Sequence, residues 1–474
     1  MKELDKKPAH CEEHETALRH LEKGELRKAQ FYLSEALRLY REARDEAGQA
    51  ECRAALARIN RLRKEYPYDR DLLLWNLTKH IEDFRPEEFE KWDEEGYLDS
   101  LEIDGSRRYY EHAVFNLAFN CPNLMSRYRG WEQKDYTFDR TVRRHIEAAR
   151  DKIPELDSEC RYFLDPMKIT VTARIKLTRK LSLSPENKLK IWAPFPLERE
   201  TQRDVKLISS TPPHRHLTPP ESEIGIIYFE VESDEAARGI EYTFSFTSSD
   251  AYYNLKSERI EPLDAPDARF ARYLGSEKHI TVSDEVMELA RSIVGRETNP
   301  YLQAWLLYEW MTENIEFNLI PHQLIEDESA YVLKTRKGDC GGQAIFFATL
   351  SRAIGIPAKV SGGWQMGEGF RLNHLWTQIY LAPYGWVPVD VEEARCQMVS
   401  SGYEEKDKPE IRKFYFGFFD RHHICIHDSI NLPLDPPKHS ERSFGYAFHL
   451  PEKEYRGENL DFTASTFDLS LKTE

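Results

Sequence analysis

Near Pro166 the hydrophobic pattern of the chain changes period, and that change limits the architectures open to it. Before it, apolar and small residues recur at helical spacing: Leu18, Leu21, Leu26, Ala29, Leu33, Ala36, Leu37 and Tyr40, then Ala50, Ala54, Ala57 and Leu62. After it, Ile169, Val171, Ala173, Ile175 and Leu177 alternate with polar residues, the period of a strand with one buried face. Helical spacing returns at Ser283–Val294 and Pro300–Glu313. A chain that runs helical, then extended, then mixed reads as α+β with more than one core. Its 474 residues are too many for one core, and at about 150 residues per domain they suggest roughly three.

The boundaries follow from these shifts. Residues 1–165 read as a helical region, and within it 15–65 resembles a tetratricopeptide-type hairpin. Gly24 breaks the first helix there, and Gly48 lies near the next turn. Ala29/Leu33/Ala36 and Ala50/Ala54/Ala57 share one spacing, with small residues that let helices approach. The region is either an ordinary helical cap or an arm for protein partners. Residues 83–165 stay helix-rich and aromatic, with Trp92 and Trp131. Residues 166–255 read as a β-sandwich-like domain, with further strands at Leu189–Trp192, Val205–Ile208, Ile224–Val231 and Ile240–Phe246. Residues 256–400 form a mixed core that begins with a proline-rich linker at 256–268, and 401–474 read as a β-rich extension packed on that core.

Composition narrows the function. Hydrophobic residues at 40% and charged residues at 31% suit a folded protein. A net charge of −16 argues against nucleic acid as a partner, because phosphate binding needs a basic surface. The amino terminus is charged with no apolar segment behind it, and no run approaches 18 apolar residues, so the expectation is a cytoplasmic protein without a membrane partner. The seven cysteines are scattered and never form C-x-x-C, which speaks against disulfides and a cysteine zinc site.

One cysteine stands apart. Lys337-Gly338-Asp339-Cys340-Gly341-Gly342-Gln343 leads into a helical run with Phe347, Leu350 and Ile354 on one face, stopped by Gly355 and Pro357. A thiol at a helix start gains from the positive end of the helix, which favours thiolate. Its backbone N–H is aimed where an oxyanion would form. After a strand at Ala358–Trp364, His374–Leu381 alternates as another, and a turn at Ala382–Gly385 returns the chain to Asp390. The hairpin brings His374 and Asp390 together, so that the carboxylate fixes the imidazole tautomer. Cys340, His374 and Asp390 are thus the candidate catalytic residues. Trp364 and Trp376 are candidate walls of a substrate cleft, and each is equally a packing residue. The block Asp420–Asp428 is dense in ligand-type side chains, with His423, Cys425 and His427 on one strand face, and is read as a strand near the site's rim. No cofactor and no metal is expected.

The run Gly338-x-Cys340, Leu350-x-Arg352-Ala353-x-Gly355-Ile356-Pro357-Ala358, His374-x-Trp376-x-x-x-Tyr380 and Gly385-Trp386-x-Pro388-Val389-Asp390 resembles the core of the transglutaminase-like superfamily, over about residues 280–392. The likeness extends loosely to Tyr415-Phe416-Gly417-x-x-Asp420. It implies a papain-like α+β core, with Cys340 as nucleophile, His374 as base then acid, and Asp390 as orienting carboxylate. It also implies acyl transfer through a thioester on an amide of a peptide or protein substrate. Trp305, Gln343 and Asn373 are the candidates for a second oxyanion donor. The cysteine pairs of the glycan-releasing branch and the acidic calcium run of the animal cross-linking enzymes are both missing. Hydrolysis is therefore expected over cross-linking. The alternative is a catalytically silent scaffold that binds through its helices and thiol domain.

Overall fold

The computed structural model describes residues 9–121, 124–129, 144, 147–148, 159–178, 187–261, 267–367, 370–400, 405–440, 442–443, 445–460 and 462–473. Trp131, the central part of the 256–268 linker and most of 130–158 lie outside the described residues. The chain divides into two units, residues 1–131 with 321–326, and residues 132–320 with 327–474.

The first unit carries α1 (Ala9–Glu22), α2 (Leu26–Ala43), α3 (Glu46–Glu65), α4 (Arg70–His80), α5 (Pro86–Glu94) and α6 (Ala113–Asn120). Ala29, Leu33 and Ala36 of α2 are buried, as their spacing requires. The matching triplet in α3 is not: Ala50 and Ala54 are exposed, and the buried face runs through Gly48, Cys52 and Ile59. Tyr40 sets that register, since a Cβ on Gly48 would lie 2.2 Å from its ring. The region is also not purely helical. β1 (Ser100–Ile103) and β2 (Ser106–Tyr109) form an antiparallel hairpin. Its turn is Asp104-Gly105, both at positive φ, the dipeptide that suits a two-residue hairpin.

The second unit holds a β-sandwich and the mixed core. One sandwich sheet runs β14 (Phe418–Phe419), β8 (Ile240–Tyr253), β3 (Arg161–Leu177), β18 (Ser465–Thr473), with β5 (Gln202–Thr211) also on β8. The other runs β17 (Glu458–Leu460), β16 (Glu452–Tyr455), β4 (Leu189–Pro194), β7 (Ile226–Val231), β6 (His216–Leu217), and α7 (Ser233–Arg238) joins β7 to β8. Alternate residues of β3, Ile169, Val171, Ala173 and Ile175, meet Tyr242, Phe244 and Phe246 of β8 in its core. Residues 401–474 are thus not a separate extension. Four of their strands complete the sandwich, and the fifth joins the sheet of the mixed core.

That sheet has the order β13 (Gly385–Val389), β12 (Phe370–Leu381), β11 (Ala358–Gly367), β15 (His423–His427), all antiparallel. Around it lie α8 (Asp284–Val294), α9 (Pro300–Asn314), β9 (Glu316–Phe317), α10 (Glu328–Thr335), β10 (Lys337–Gly338), α11 (Cys340–Ala353), α12 (Val391–Ser400) and α13 (Lys408–Phe414). β11 is buried along its whole length because both faces of the sheet are covered. Val360, Leu375 and Trp376 join α11 residues such as Ile345 and Phe347 in one core. Trp364, Met366, Ile424 and Ile426 of the same sheet enter the sandwich core. Gly362 and Gly363 make the close approach of β15 to β11 feasible. A Cβ on Gly363 would sit 2.1 Å from the Ile424 carbonyl oxygen, and the ladder register shifts between the two glycines.

Candidate active site

Cys340 is the first residue of α11, where the chain leaves the two-residue strand β10. Asp339 caps the helix by accepting from the Gly342 N–H at 3.1 Å. Every residue from Gly341 to Arg352 is buried, so the helix start is held rigidly. Gly338 and Gly342 lie under Val332, and a Cβ on either would come within 3.2 Å of it. Arg352, at the far end, donates to the carbonyls of Ala358 at 2.9 Å and Gly275 at 2.8 Å and to Glu277 at 2.8 Å. It anchors the helix to the entry of β11 rather than facing the thiol.

His374 lies inside β12, which begins at Phe370, so the strand extends beyond the histidine that the sequence pattern took as its start. The Thr377 hydroxyl donates to the Ala344 carbonyl at 2.8 Å and ties this strand to α11. His374 Nε2 donates to Asp390 Oδ2 at 2.6 Å, and the imidazole lies close enough to the Cys340 thiol for each to shift the other's proton affinity. Glu392 Oε2 lies 3.8 Å from His374 Nδ1. Asp390 follows β13 and immediately precedes α12, whose Glu393 N–H donates to Oδ1 at 3.0 Å. The same carboxylate therefore orients the imidazole and caps a helix, and the helix's positive end favours its anion.

The electrostatics are those of an ion pair in a dry site. Burial penalises the Asp390 anion, but the charge and hydrogen bond of His374, with help from His423, hold it well below the usual carboxylate range. Burial likewise opposes the charged imidazole of His374, yet Asp390 and the thiol raise it well above its ordinary value. Burial pushes the Cys340 thiol up, and the His374 hydrogen bond pulls against that. For a proton moving from sulfur to imidazole, the Asp390 anion favours the imidazolium, and the imidazolium offsets part of what burial costs the thiolate.

Residues 287–391 match the family model of the transglutaminase-like superfamily core. They form a transglutaminase-like domain. Among solved structures, a proposed cysteine protease from Cytophaga hutchinsonii is similar at 14% identity and TM-score 0.41, covering 66% of this chain and 92% of its own. The periplasmic domain of TgpA from Pseudomonas aeruginosa is similar at 14% identity and TM-score 0.28, over 55% of this chain and 100% of that domain. A Haemophilus influenzae protein, described only as uncharacterized, is 26% identical over 204 residues, which are 37% of this chain and 55% of that protein. The match thus spans about half the length of that curated relative.

The remaining candidates divide. Trp376 of the transglutaminase-like domain is buried beneath the triad, its ring 6.1 Å from His374 and 5.0 Å from Phe419, so it supports the site from below. Trp364 is no cleft wall. It pairs across the ladder with Asn373, on the face opposite His374, and its ring sits in the sandwich core with Nε1 donating to the His449 carbonyl at 2.9 Å. Asn373 shares that far face. Gln343 Nε2 donates to the Gly338 carbonyl at 2.8 Å and braces the turn before Cys340, with its Oε1 buried and unpartnered. Trp305 packs edge-on against Phe416 at 5.4 Å. None of these three joins the hydrogen bonds of the triad among the described residues.

Sequence reasoning missed a second layer. His423, the first residue of β15, lies with Nε2 3.3 Å from Asp390 Oδ2 and Nδ1 3.0 Å from Asp420 Oδ1. Glu392 and Glu393 open α12, and burial pushes their carboxyls up to about 7 and about 8. Glu392 accepts from the Cys396 thiol at 2.8 Å, and Glu393 from Gln397 at 2.9 Å. The only signal for the two glutamates was their place in a helix's first turn, where acids are ordinary. One ligand atom from each of His374, Asp390 and His423 lies within 4.8 Å of the others, a spacing that would admit a metal ion. Both imidazoles, however, direct protonated nitrogens at carboxylates, whereas a metal ligand must be neutral there. Of the strand block at 420–428, His427 Nδ1 donates to the nearby Ser429 carbonyl at 3.0 Å, and Cys425 packs in the core.

Proposed function

We propose that the protein is a thiol-dependent hydrolase or acyltransferase that opens an amide bond, in a peptide or protein substrate, through a thioester on Cys340. The observation that carries this reading is the buried 2.6 Å hydrogen bond of His374 to Asp390, with the same imidazole beside the Cys340 thiol at the start of a buried helix. In the first step the thiol proton passes to His374, the sulfur bonds to the carbonyl carbon, and the backbone N–H at the helix start receives the developing oxyanion. His374 then returns the proton to the leaving amine, and the C–N bond breaks. Water, or a second amine, attacks the thioester with His374 again as base, and the Cys340 thiol is restored.

Hydrolysis is preferred to cross-linking, in a cysteine peptidase or amidase. The six cysteines whose side chains are described are free, in keeping with a reducing compartment, and the reading assigns the protein to the cytoplasm. No helix among the described residues is long and apolar enough to cross a membrane. The N-terminal helices are proposed as a surface for a protein partner. The decisive test incubates the protein with peptide amides and looks by mass spectrometry for an acyl adduct on Cys340 that hydroxylamine removes. Amide cleavage that survives Cys340→Ala would overturn the proposal.

A further inference from the structure

The Asp390 carboxylate is shared. Its Oδ2 accepts from His374 at 2.6 Å and from His423 at 3.3 Å, while Oδ1 is held by the Glu393 N–H at 3.0 Å. His423 faces a carboxylate through each ring nitrogen, Asp390 on one side and Asp420 on the other. An imidazole can donate to both only when both nitrogens carry hydrogen, which makes it a cation. Its ring is fixed by Phe419 at 4.5 Å and Trp376 at 5.5 Å, and its centroid lies 5.2 Å from that of His374. Asp420 is itself fixed by the His422 N–H at 2.8 Å.

From this geometry we infer that His423 is a positioning residue that, oriented by Asp420, holds Asp390 in place and moderates how tightly Asp390 binds the His374 proton. The inference rests on the thiol chemistry proposed above. A carboxylate with one imidazole partner gives that partner its full charge. With a second cation on the same oxygen, and a second positive ring beside the first, His374 binds its proton less firmly. The consequence is functional. A His374 that held its proton too strongly would form the ion pair readily but donate poorly to the leaving amine. The titratable groups facing His423 are Asp420 from the loop after β14, Asp390 from the end of β13 and His374 from β12. Gln365, its ladder partner on β11, links it to Glu393. His423 itself is held protonated to about pH 9, because Asp420 and Asp390 outweigh its burial.

The test is the pH dependence of iodoacetamide alkylation at Cys340, read by mass spectrometry, in the native protein, His374→Ala, His423→Gln, His423→Arg and Asp420→Asn. The native and His374→Ala arms test the thiol chemistry alone: a rate the same in both removes the proposed triad and not only this inference. Given a His374-dependent native profile, His423→Gln moves its rising limb to lower pH by about half a unit, which is about threefold in rate at fixed pH on that limb. Asp420→Asn moves it the same way, and His423→Arg, which keeps the cation, restores the native position. Should His423→Gln fail to fold, the other two variants decide. A limb that stays in place, or moves to higher pH, in folded Asp420→Asn with His423→Arg unchanged would overturn the inference.

Discussion

At the scale of single residues, the structure separates two duties that fall on Asp390. Asn also caps helices well but carries no charge. Asp390→Asn is therefore expected to keep the cap but lose the buried ion pair, at a cost of about 3–5 kcal/mol, while amide turnover falls about 100- to 10,000-fold. Chemical denaturation and a peptide-amide assay on one preparation check both halves, and a stability equal to native would show that the anion is not needed for the fold. Trp364 gives the complementary case. Its ring lies in the sandwich core, stacked 6.4 Å from Phe244, so Trp364→Ala is expected to cost about 3–5 kcal/mol. The Cys340 alkylation rate of the folded fraction should not change; a lower rate would return Trp364 to the cleft. That Cys340, His374 and Asp390 would come together was legible because the three carry distinctive neighbours: a glycine turn, a helix stop and a tight hairpin. The choice between cleft wall and packing residue stayed open for Trp364 because its face depends on the β11–β12 register, which pairs it with Asn373 and which no local pattern encodes.

At the scale of elements, the hairpin of β12 and β13 and the helix α11 were readable from period and punctuation alone. β15 was not readable as part of the sheet that carries His374. It arrives after two helices and pairs with β11, an edge that local alternation cannot name. His423 was therefore seen as a ligand-type residue on a rim strand and not as a neighbour of Asp390. The pairing depends on the two glycines of β11. Gly363→Ala is expected to destabilise the protein by more than about 2 kcal/mol, because the new methyl meets a backbone oxygen and not a side chain that can turn away. Thermal and urea unfolding report this, and a variant as stable as native would mean that β15 can shift without loss. The repeated small-residue triplet of α3 misled for a related reason. Spacing marks a helix, but which stripe is buried was set by Tyr40 lying across Gly48.

At the scale of the whole molecule, the sandwich and the transglutaminase-like core share one sheet, and acids are buried beside His374 and Asp390 at a cost that depends on pH. Unfolded, Glu392 and Glu393 release their protons near 4.5; folded, burial delays this to about 7 and about 8. Between those values the folded protein holds more protons than the unfolded chain, so stability falls as pH rises from about 5 to about 8. Asp390 acts oppositely, since its folded value is lowered from 3.8, and its contribution is lost in acid. The double variant Glu392→Gln with Glu393→Gln is expected to flatten the descent by a few kcal/mol, at about 1.4 kcal/mol for each tenfold change in proton affinity between the folded and unfolded chain. Urea unfolding at pH 5 and pH 8 measures it, and equal slopes in native and variant would contradict the assignment. The central claim, that His374 poises the Cys340 sulfur for attack, has a more direct measurement. Iodoacetamide labelling of each thiol in the folded protein, followed across pH, should show Cys340 reacting faster than the other described cysteines at pH 7. Its rate should titrate below about 8.5, the ordinary thiol value, and His374→Ala should abolish that advantage. A Cys340 that labels no faster than Cys121 or Cys160, with or without His374, would contradict the account.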